Sequence, residues 1–171
     1  MDSSSQHNGF TLVEILVAMV IIGIVLGVAL LRLNNNDSET ELKQEFGRLA
    51  RMMELADQQA IFSAQEIGLL LKRDGYEFMV YDDKDKWQAL DDDLLKKKKL
   101  PEQVDIKLNI DGADISLNSS ANQKDIPQII FYSSGEWTAF ELEISNRYGS
   151  NTSFVLSNIK TGELELNREE F

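Results

Sequence analysis

The chain has 171 residues, with 17 Lys and Arg against 29 Asp and Glu, a formal net charge of −12 and 43% hydrophobic residues. This mixture is typical of a folded protein, and the acidic balance argues against nucleic-acid binding, which needs clustered positive charge. There is no Cys and a single His, His7, which leaves almost no room for disulfides, Cys or His metal centres, or a Ser-His-Asp triad.

An apolar run near the N-terminus is the first predicted element. Residues 15–31 carry no charge, and all of them except Gly23 and Gly27 are apolar. Counted from Phe10 the run has 22 residues, which as a helix span roughly 33 Å and match a hydrocarbon core of about 30 Å. We therefore expect a membrane-spanning helix over residues 10–33. The two glycines either let helices approach closely or reflect the small residues common in membrane helices.

A carboxylate inside this run needs its own explanation. Within a membrane span, the Glu14 side chain costs about 2.5–3.5 kcal/mol on insertion scales. Cleavage of the chain after Gly9 would free an α-amino group on Phe10. That ammonium can pair with the Glu14 carboxylate of a neighbouring helix packed with a small axial stagger. The cost of the carboxylate is then offset only in an assembly.

Residues 9–18, with the sequence GFTLVEILVA, resemble the class III signal of type IV pilins and pseudopilins. The resemblance implies that a prepilin peptidase removes residues 1–9 by cutting after Gly9 and then methylates the amino group of Phe10. It also implies that Glu14 is required for efficient assembly into a helical filament. Residues 1–8 depart from the family pattern because they contain no Lys or Arg.

A second helical stretch follows the apolar run. The polar residues 34–37 are compatible with fraying, and Ser38 and Glu41 have the spacing of a capping box for a new helical stretch. Apolar residues then recur every three or four positions, which predicts an amphipathic helix over 34–64 with one seam. The seam consists of Leu42, Phe46, Leu49, Met53, Ala56 and Ala60. We expect it to pack against the following domain, with a coiled coil as the alternative.

From residue 65 onwards the apolar residues follow a period of two, which is typical of half-buried strands. Asp-Gly pairs at residues 74–75 and 111–112 predict hairpin turns. The predicted strands are 67–72, 76–81, 86–90, 104–110, 115–117, 128–132, 140–144, 152–156 and 163–167. The predicted fold class is α+β and pilin-like: a long N-terminal helix with a membrane-spanning first half, and an antiparallel β-sandwich-type head over residues 65–171.

Three segments of the head resemble the type II secretion protein H family, minor pseudopilins related to the pilin-like FimT proteins. They are residues 63–69 (SAQEIGL), 130–140 (IFYSSGEWTAF) and 161–164 (TGEL). The resemblance implies a minor pseudopilin near the tip of a short pseudopilus that helps drive protein export across the outer membrane. It implies as partners the major and other minor pseudopilins, prepilin peptidase and an inner-membrane secretion platform. The protein would be a single-pass inner-membrane protein with a periplasmic head.

The other charged clusters and the two tryptophans are explained better by structural roles than by metal binding, partner binding or catalysis. The acidic clusters at residues 82–85 and 91–93 lack a complete calcium loop, so we expect solvated loops. The lysine run at residues 96–99 is expected to be solvated, with an acidic partner surface as the alternative. Trp87 and Trp137 are expected to be buried or half-buried sheet residues, with interface anchors as the alternative. No phosphate-binding loop, nucleophile elbow or paired catalytic carboxylates occur, so we predict no enzyme and no cofactor.

Two other functions stay open at this point. One is a minor pilin of a type IV pilus or a DNA-uptake system, which would use the same N-terminal chemistry. The other is a periplasmic binding module on a simple membrane anchor. That module predicts no processing at Gly9 and leaves Glu14 unexplained.

Overall fold

A computed structural model of the chain describes residues 12–82, 85–117, 126–148, 152–159 and 162–170, and only the backbone of residues 28–38 and 170. The predicted leader, residues 1–9, and Phe10 lie outside these ranges. The chain divides into two compact units, Met1–Ser38 and Glu39–Phe171. The second unit contains both β-sheets, and residues 65–171 of it are called the head here.

A single α-helix, α1, extends over Leu12–Ser63. It continues through residues 34–37, so the prediction that a new helical stretch starts at Ser38 is wrong. The physical reason is that these four polar residues include no Gly or Pro. Asn and Asp each cost a helix only about 0.7 kcal/mol relative to Ala, which is too little to stop a helix that is stabilised at other positions.

The strands of the head form two five-stranded antiparallel sheets. The strands are β1 (Ile67–Lys72), β2 (Gly75–Asp82), β3 (Lys86–Ala89), β4 (Lys98–Lys99), β5 (Val104–Ile110), β6 (Ala113–Ile115), β7 (Ile129–Phe131), β8 (Phe140–Asn146), β9 (Thr152–Ser157) and β10 (Glu165–Glu170). The first sheet has the order β3-β2-β1-β7, with β4 also paired to β2, and the second has the order β10-β9-β8-β5-β6. The predicted α+β class with an antiparallel head is confirmed.

The seam of α1 packs into the core of the head, as predicted. Each of its six residues exposes 4% of its surface or less. They belong to one apolar cluster that also contains residues of β1, β2, β5, β7, β8 and β9. The opposite face of the helix, including Lys43, Arg51 and Glu54, is exposed. The seam is therefore used inside the head, which excludes the coiled-coil alternative for this face.

Glycines play two different roles in the predicted hairpins. In the β5–β6 turn both Asp111 (φ 52°) and Gly112 (φ 80°) are left-handed, as a type I′ turn requires. In the β1–β2 hairpin the turn residues are 73 and 74, because Lys72 pairs with Gly75. A Cβ on Gly75 would overlap the carbonyl oxygen of Lys98 in β4. Gly75 is therefore required by the close approach of β4.

The strand predictions are wrong in several details. β4 was expected to be part of a solvated lysine run, but it pairs with the start of β2. β10 begins two residues later than predicted. Leu117 follows β6 instead of lying in it, although its side chain is buried. Short strands whose pairing is set by distant contacts carry little local signal, which explains β4 above all.

Candidate assembly site

The first unit presents an apolar helix surface that surrounds one carboxylate. Every large apolar side chain from Leu12 to Leu26 is exposed, with exposed fractions between 49% and 82%. Glu14 is the only charged residue of this stretch. A helix that is apolar on all sides needs lipid or other helices around it. Over the described residues, no helix combines the length and apolarity needed to cross a membrane.

Gly23 and Gly27 leave room on this surface. A Cβ built on either residue meets no other atom within 4 Å. Residues four apart lie on the same side of a helix, and small residues allow a second helix to come close. Gly9 and Phe10, the predicted cleavage and methylation positions, lie outside the described residues.

Carboxylates of the acidic clusters in the head accept hydrogen bonds from the backbone of the loops in which they lie. Asp82 accepts a hydrogen bond from the backbone N–H of Lys86 (2.9 Å). Asp92 accepts two, from Leu94 (2.7 Å) and Leu95 (3.0 Å), and these bonds hold its pKa below the usual value. Among the residues that the structure describes, which omit 83 and 84, no cluster of three or more acidic or histidine side chains is arranged to hold a metal ion.

The lysine run holds β4 in place. Lys98 pairs with Glu45 of α1. On the other face of the sheet, the Glu77 carboxylate lies 3.3 Å from the Nζ of Lys97 and 3.8 Å from the Nζ of Lys72. Lys98 and Glu45 lie 53 positions apart, so the charge run gave no hint of their contact.

A partly buried carboxylate lies beside the seam, and the sequence analysis missed it. One oxygen of Asp57 is buried without a hydrogen-bond partner among the described residues. Burial raises the pKa of Asp57, and a hydrogen bond with the Trp137 side chain opposes this rise. Trp137 itself packs edge-to-face on Phe131, with ring centroids 4.9 Å apart. The helical spacing could have indicated its position, since Asp57 follows Met53 by four residues and residues four apart lie on the same side of a helix.

An apolar helix with a single carboxylate, continued by an antiparallel head that buries the helix seam, defines a pilin-like filament subunit. Residues 4–30 match the family described as "Prokaryotic N-terminal methylation motif", a range that includes Gly9, Phe10 and Glu14. Residues 45–159 match the family described as "Type II transport protein GspH". The chain therefore belongs to the GspH family, the minor pseudopilins of type II secretion.

Relatives and solved structures agree with this assignment. The chain is 33% identical to type II secretion system protein H of Pseudomonas aeruginosa over 157 residues, which cover 88% of this chain and 90% of that protein. It is 25% identical to the protein of the same name from Aeromonas hydrophila, with 83% and 82% covered. The fold is similar to that of the minor pseudopilin EpsH of Vibrio cholerae, with a TM-score of 0.63 and 24% identity over 74% of this chain and 94% of that one.

Proposed function

We propose that this minor pseudopilin is a structural subunit near the tip of the type II secretion pseudopilus, where it helps drive protein export across the outer membrane. The observation that carries the proposal is the exposed apolar surface of residues 12–26 around Glu14, in a range that matches the methylation motif. An apolar surface of this extent is stable only when lipid or other helices shield it from water. The role is assembly, without catalysis.

The proposed maturation begins with insertion of residues 10–33 into the bacterial inner membrane, with the head in the periplasm. Prepilin peptidase then cuts after Gly9 and methylates the Phe10 amine. The mature helix leaves the lipid and packs among the helices of the major and other minor pseudopilins, driven by an inner-membrane secretion platform. The apolar residues on every side of the helix suit both environments in turn.

Glu14 sets the stagger between helices in this mechanism. An ammonium and a carboxylate about 4 Å apart attract each other by about 4 kcal/mol at an effective dielectric constant of 20. The roughly 2.5–3.5 kcal/mol that a carboxylate costs inside a membrane is of similar size. The Phe10 amine of a neighbouring subunit is the partner we propose, so the charge favours assembly over the isolated membrane-inserted state.

The match of residues 45–159 to a secretion family favours this role over a minor pilin of a type IV pilus or DNA-uptake system. Those systems share the N-terminal chemistry, so only the head separates them. A binding module on a simple membrane anchor is disfavoured, because such an anchor does not explain a carboxylate at Glu14 within the apolar helix.

The first test is the mass of the protein purified from cells with and without prepilin peptidase. We expect loss of residues 1–9 and one added methyl group on Phe10 only when the peptidase is present. An N-terminus that stays intact in both strains would overturn the proposed maturation and favour the anchored module.

The second test measures export of a secreted protein in a strain that lacks this chain. Wild type should restore export, and Glu14→Ala should reach the membrane in normal amounts without entering filaments. Glu54→Ala, which removes an exposed carboxylate elsewhere on α1, is the matched control and should behave as wild type. Full assembly of the Glu14→Ala variant would refute the role given to this residue.

A further inference from the structure

A cavity of about 790 Å³ lies in the head between the first half of β5, the β1–β2 turn and the end of β6. It is lined by residues 73–74, 100–102, 104–108, 114–117 and 147–148, all of them within the described ranges. We call this cavity the β5 slot. Ligand pockets of proteins typically measure about 300–1,000 Å³, so the β5 slot has the size of a binding site.

One wall of the β5 slot is an open strand edge. β8 pairs with β5 over Val104–Ile110, whereas β6 pairs only with the last three residues, Leu108–Ile110. On the side of β6, no strand of the described ranges pairs with residues 104–107. Four residues of strand are about 13 Å long, so a short extended segment can lie along this edge.

The register identifies the backbone groups that point to the open edge. Ile110 and Ala113 are paired on either side of the two-residue turn at 111–112, and residues that flank such a turn exchange hydrogen bonds. Hydrogen-bonded pairs alternate along an antiparallel strand. The N–H and C=O groups of every second residue before Ile110 therefore point to the side of β6. Within the β5 slot these residues are Ile106 and Val104.

Ile106 is the residue that can bind a new strand at this edge. The backbone of Val104 is used within the chain, since its N–H donates to the carbonyl oxygen of Pro101 (3.0 Å). The carbonyl oxygen of Val104 accepts a hydrogen bond from the Arg147 side chain (3.3 Å). Ile106 has no partner strand on this side among the described residues. An antiparallel strand laid on the edge would exchange two hydrogen bonds with Ile106.

The side chains of the β5 slot define its ligand. Val104 and Leu108 lie in the core and Ile106 packs against it, so the even-numbered residues of β5 face inward. Leu117 also lines the slot and is buried. Side chains alternate between the two faces of a sheet. The ligand residue opposite Ile106 should therefore be apolar, and its two neighbours, which face outward, should be polar.

Charge gives the β5 slot no preference for a ligand of one sign. The charged residues that line it are Arg73, Asp74, Glu102, Asp105, Lys107, Asp114 and Arg147. Lys107 pairs with Glu143 (3.1 Å), and Arg147 pairs with Asp105 (3.5 Å). Recognition in the β5 slot therefore depends on backbone hydrogen bonds and one apolar side chain.

We propose that the β5 slot binds an extended segment of an exported protein as an added antiparallel strand. In strand addition the main-chain hydrogen bonds supply affinity, and the main chain is the same in every sequence. Such a site suits ligands that differ in sequence, as different exported proteins do. A fixed subunit of the machinery would instead favour a surface matched to its particular side chains. The proposal rests on the proposed function, since it takes the chain to be part of an export machine.

The first experiment measures peptide binding to the full chain in mild detergent. The probe is the fluorescently labelled peptide Thr-Ser-Thr-Val-Thr-Ser-Thr, and the control peptide carries one methyl group on the backbone nitrogen of its valine. We expect the control to bind about five- to tenfold more weakly, because the hydrogen bond from the valine N–H to the carbonyl oxygen of Ile106 is lost. Equal affinities, or no binding of either peptide, would overturn the proposal.

Amide hydrogen exchange checks where the peptide lies. A saturating amount of the probe should slow exchange of the Ile106 N–H and leave that of Leu108 unchanged, because Leu108 is already paired with β6. Exchange that slows at other residues and not at Ile106 would place the peptide outside the β5 slot and contradict the proposal.

Photo-crosslinking in cells with the complete secretion system identifies the source of the bound segment. Benzoylphenylalanine replaces Ser116, an exposed residue that lines the β5 slot, and in a control it replaces Glu54 on the exposed face of α1. We expect an adduct with an exported protein from position 116 and none from position 54. No adduct, adducts only with secretion-system subunits or a second copy, or equal yields from both positions would overturn the proposal. If the same chain is cleaved after Gly9 and supports export, the proposed function stands and only the β5 slot loses its role.

Discussion

Replacing Gly75 by alanine tests whether β4 is held by close backbone packing. The added methyl group would overlap the carbonyl oxygen of Lys98 and would lie 3.1 Å from the carbonyl carbon of Lys98 and from Cα of Lys99. All three are backbone atoms, so no side-chain rotation can make room. β4 would have to move away from β2, which breaks the pairing of Lys99 with Gly75.

The expected loss of stability follows from two terms. Overpacking of a tight site costs about 1–3 kcal/mol, and each lost backbone hydrogen bond adds about 1 kcal/mol. One bond at risk runs from the N–H of Leu100 to the carbonyl oxygen of Asp74 (2.9 Å). We expect the free energy of unfolding to fall by about 2–4 kcal/mol in total, which lowers Tm by roughly 4–16 °C for a chain of this size.

The assay is thermal and urea unfolding of the full chain in mild detergent, followed by tryptophan fluorescence. Gly47→Ala is the matched control, because a Cβ there meets only the flexible end of Arg51 at 3.6 Å. In the interior of α1 this change should raise stability by about 0.5–1 kcal/mol. The two Gly→Ala variants should therefore shift Tm in opposite directions. A Gly75→Ala protein as stable as wild type would refute the close-packing argument.

The remaining predictions concern titration. Because the pKa of Asp57 is raised in the folded state, folding favours its protonated form, and stability falls as pH rises from the unfolded pKa through the folded one. Asp57→Asn should thus be more stable than wild type at pH 7 and lose this advantage below about pH 4; an equal advantage at every pH would contradict this. Burial, opposed by Arg48 and assisted by Glu45, raises the pKa of Tyr76 to about 12. Absorbance at tyrosinate wavelengths should show a last step near that pH, and Tyr76→Phe should remove it.

Much of the head could be predicted because its signals are local. The seam of α1 follows helical spacing, and Phe46 and Met53 are buried as that spacing requires. The Asp111-Gly112 pair forms the expected turn because both residues tolerate a left-handed backbone. In such places the chemistry of two or three neighbouring residues decides the structure, so one sequence is enough.

The parts that were missed depend on contacts between distant segments. Leu95 lies between Asp93 and the lysine run, and no periodicity marks it as a core residue, yet it is fully buried. β4 pairs with the start of β2, and its Lys98 contacts Glu45, which lies 53 positions earlier.

The buried seam also has a mechanical consequence. From Leu42 to Ala60 the helix is in contact with the head over about 27 Å. A force along the helix axis therefore reaches the sheets through many side chains in parallel, in addition to the short link at residues 64–66. A close-packed protein interior has low compressibility and transmits strain. The contacts between the seam and the sheets therefore share such a force. Thrust applied to residues 42–60 consequently moves the whole head without stretching its connection.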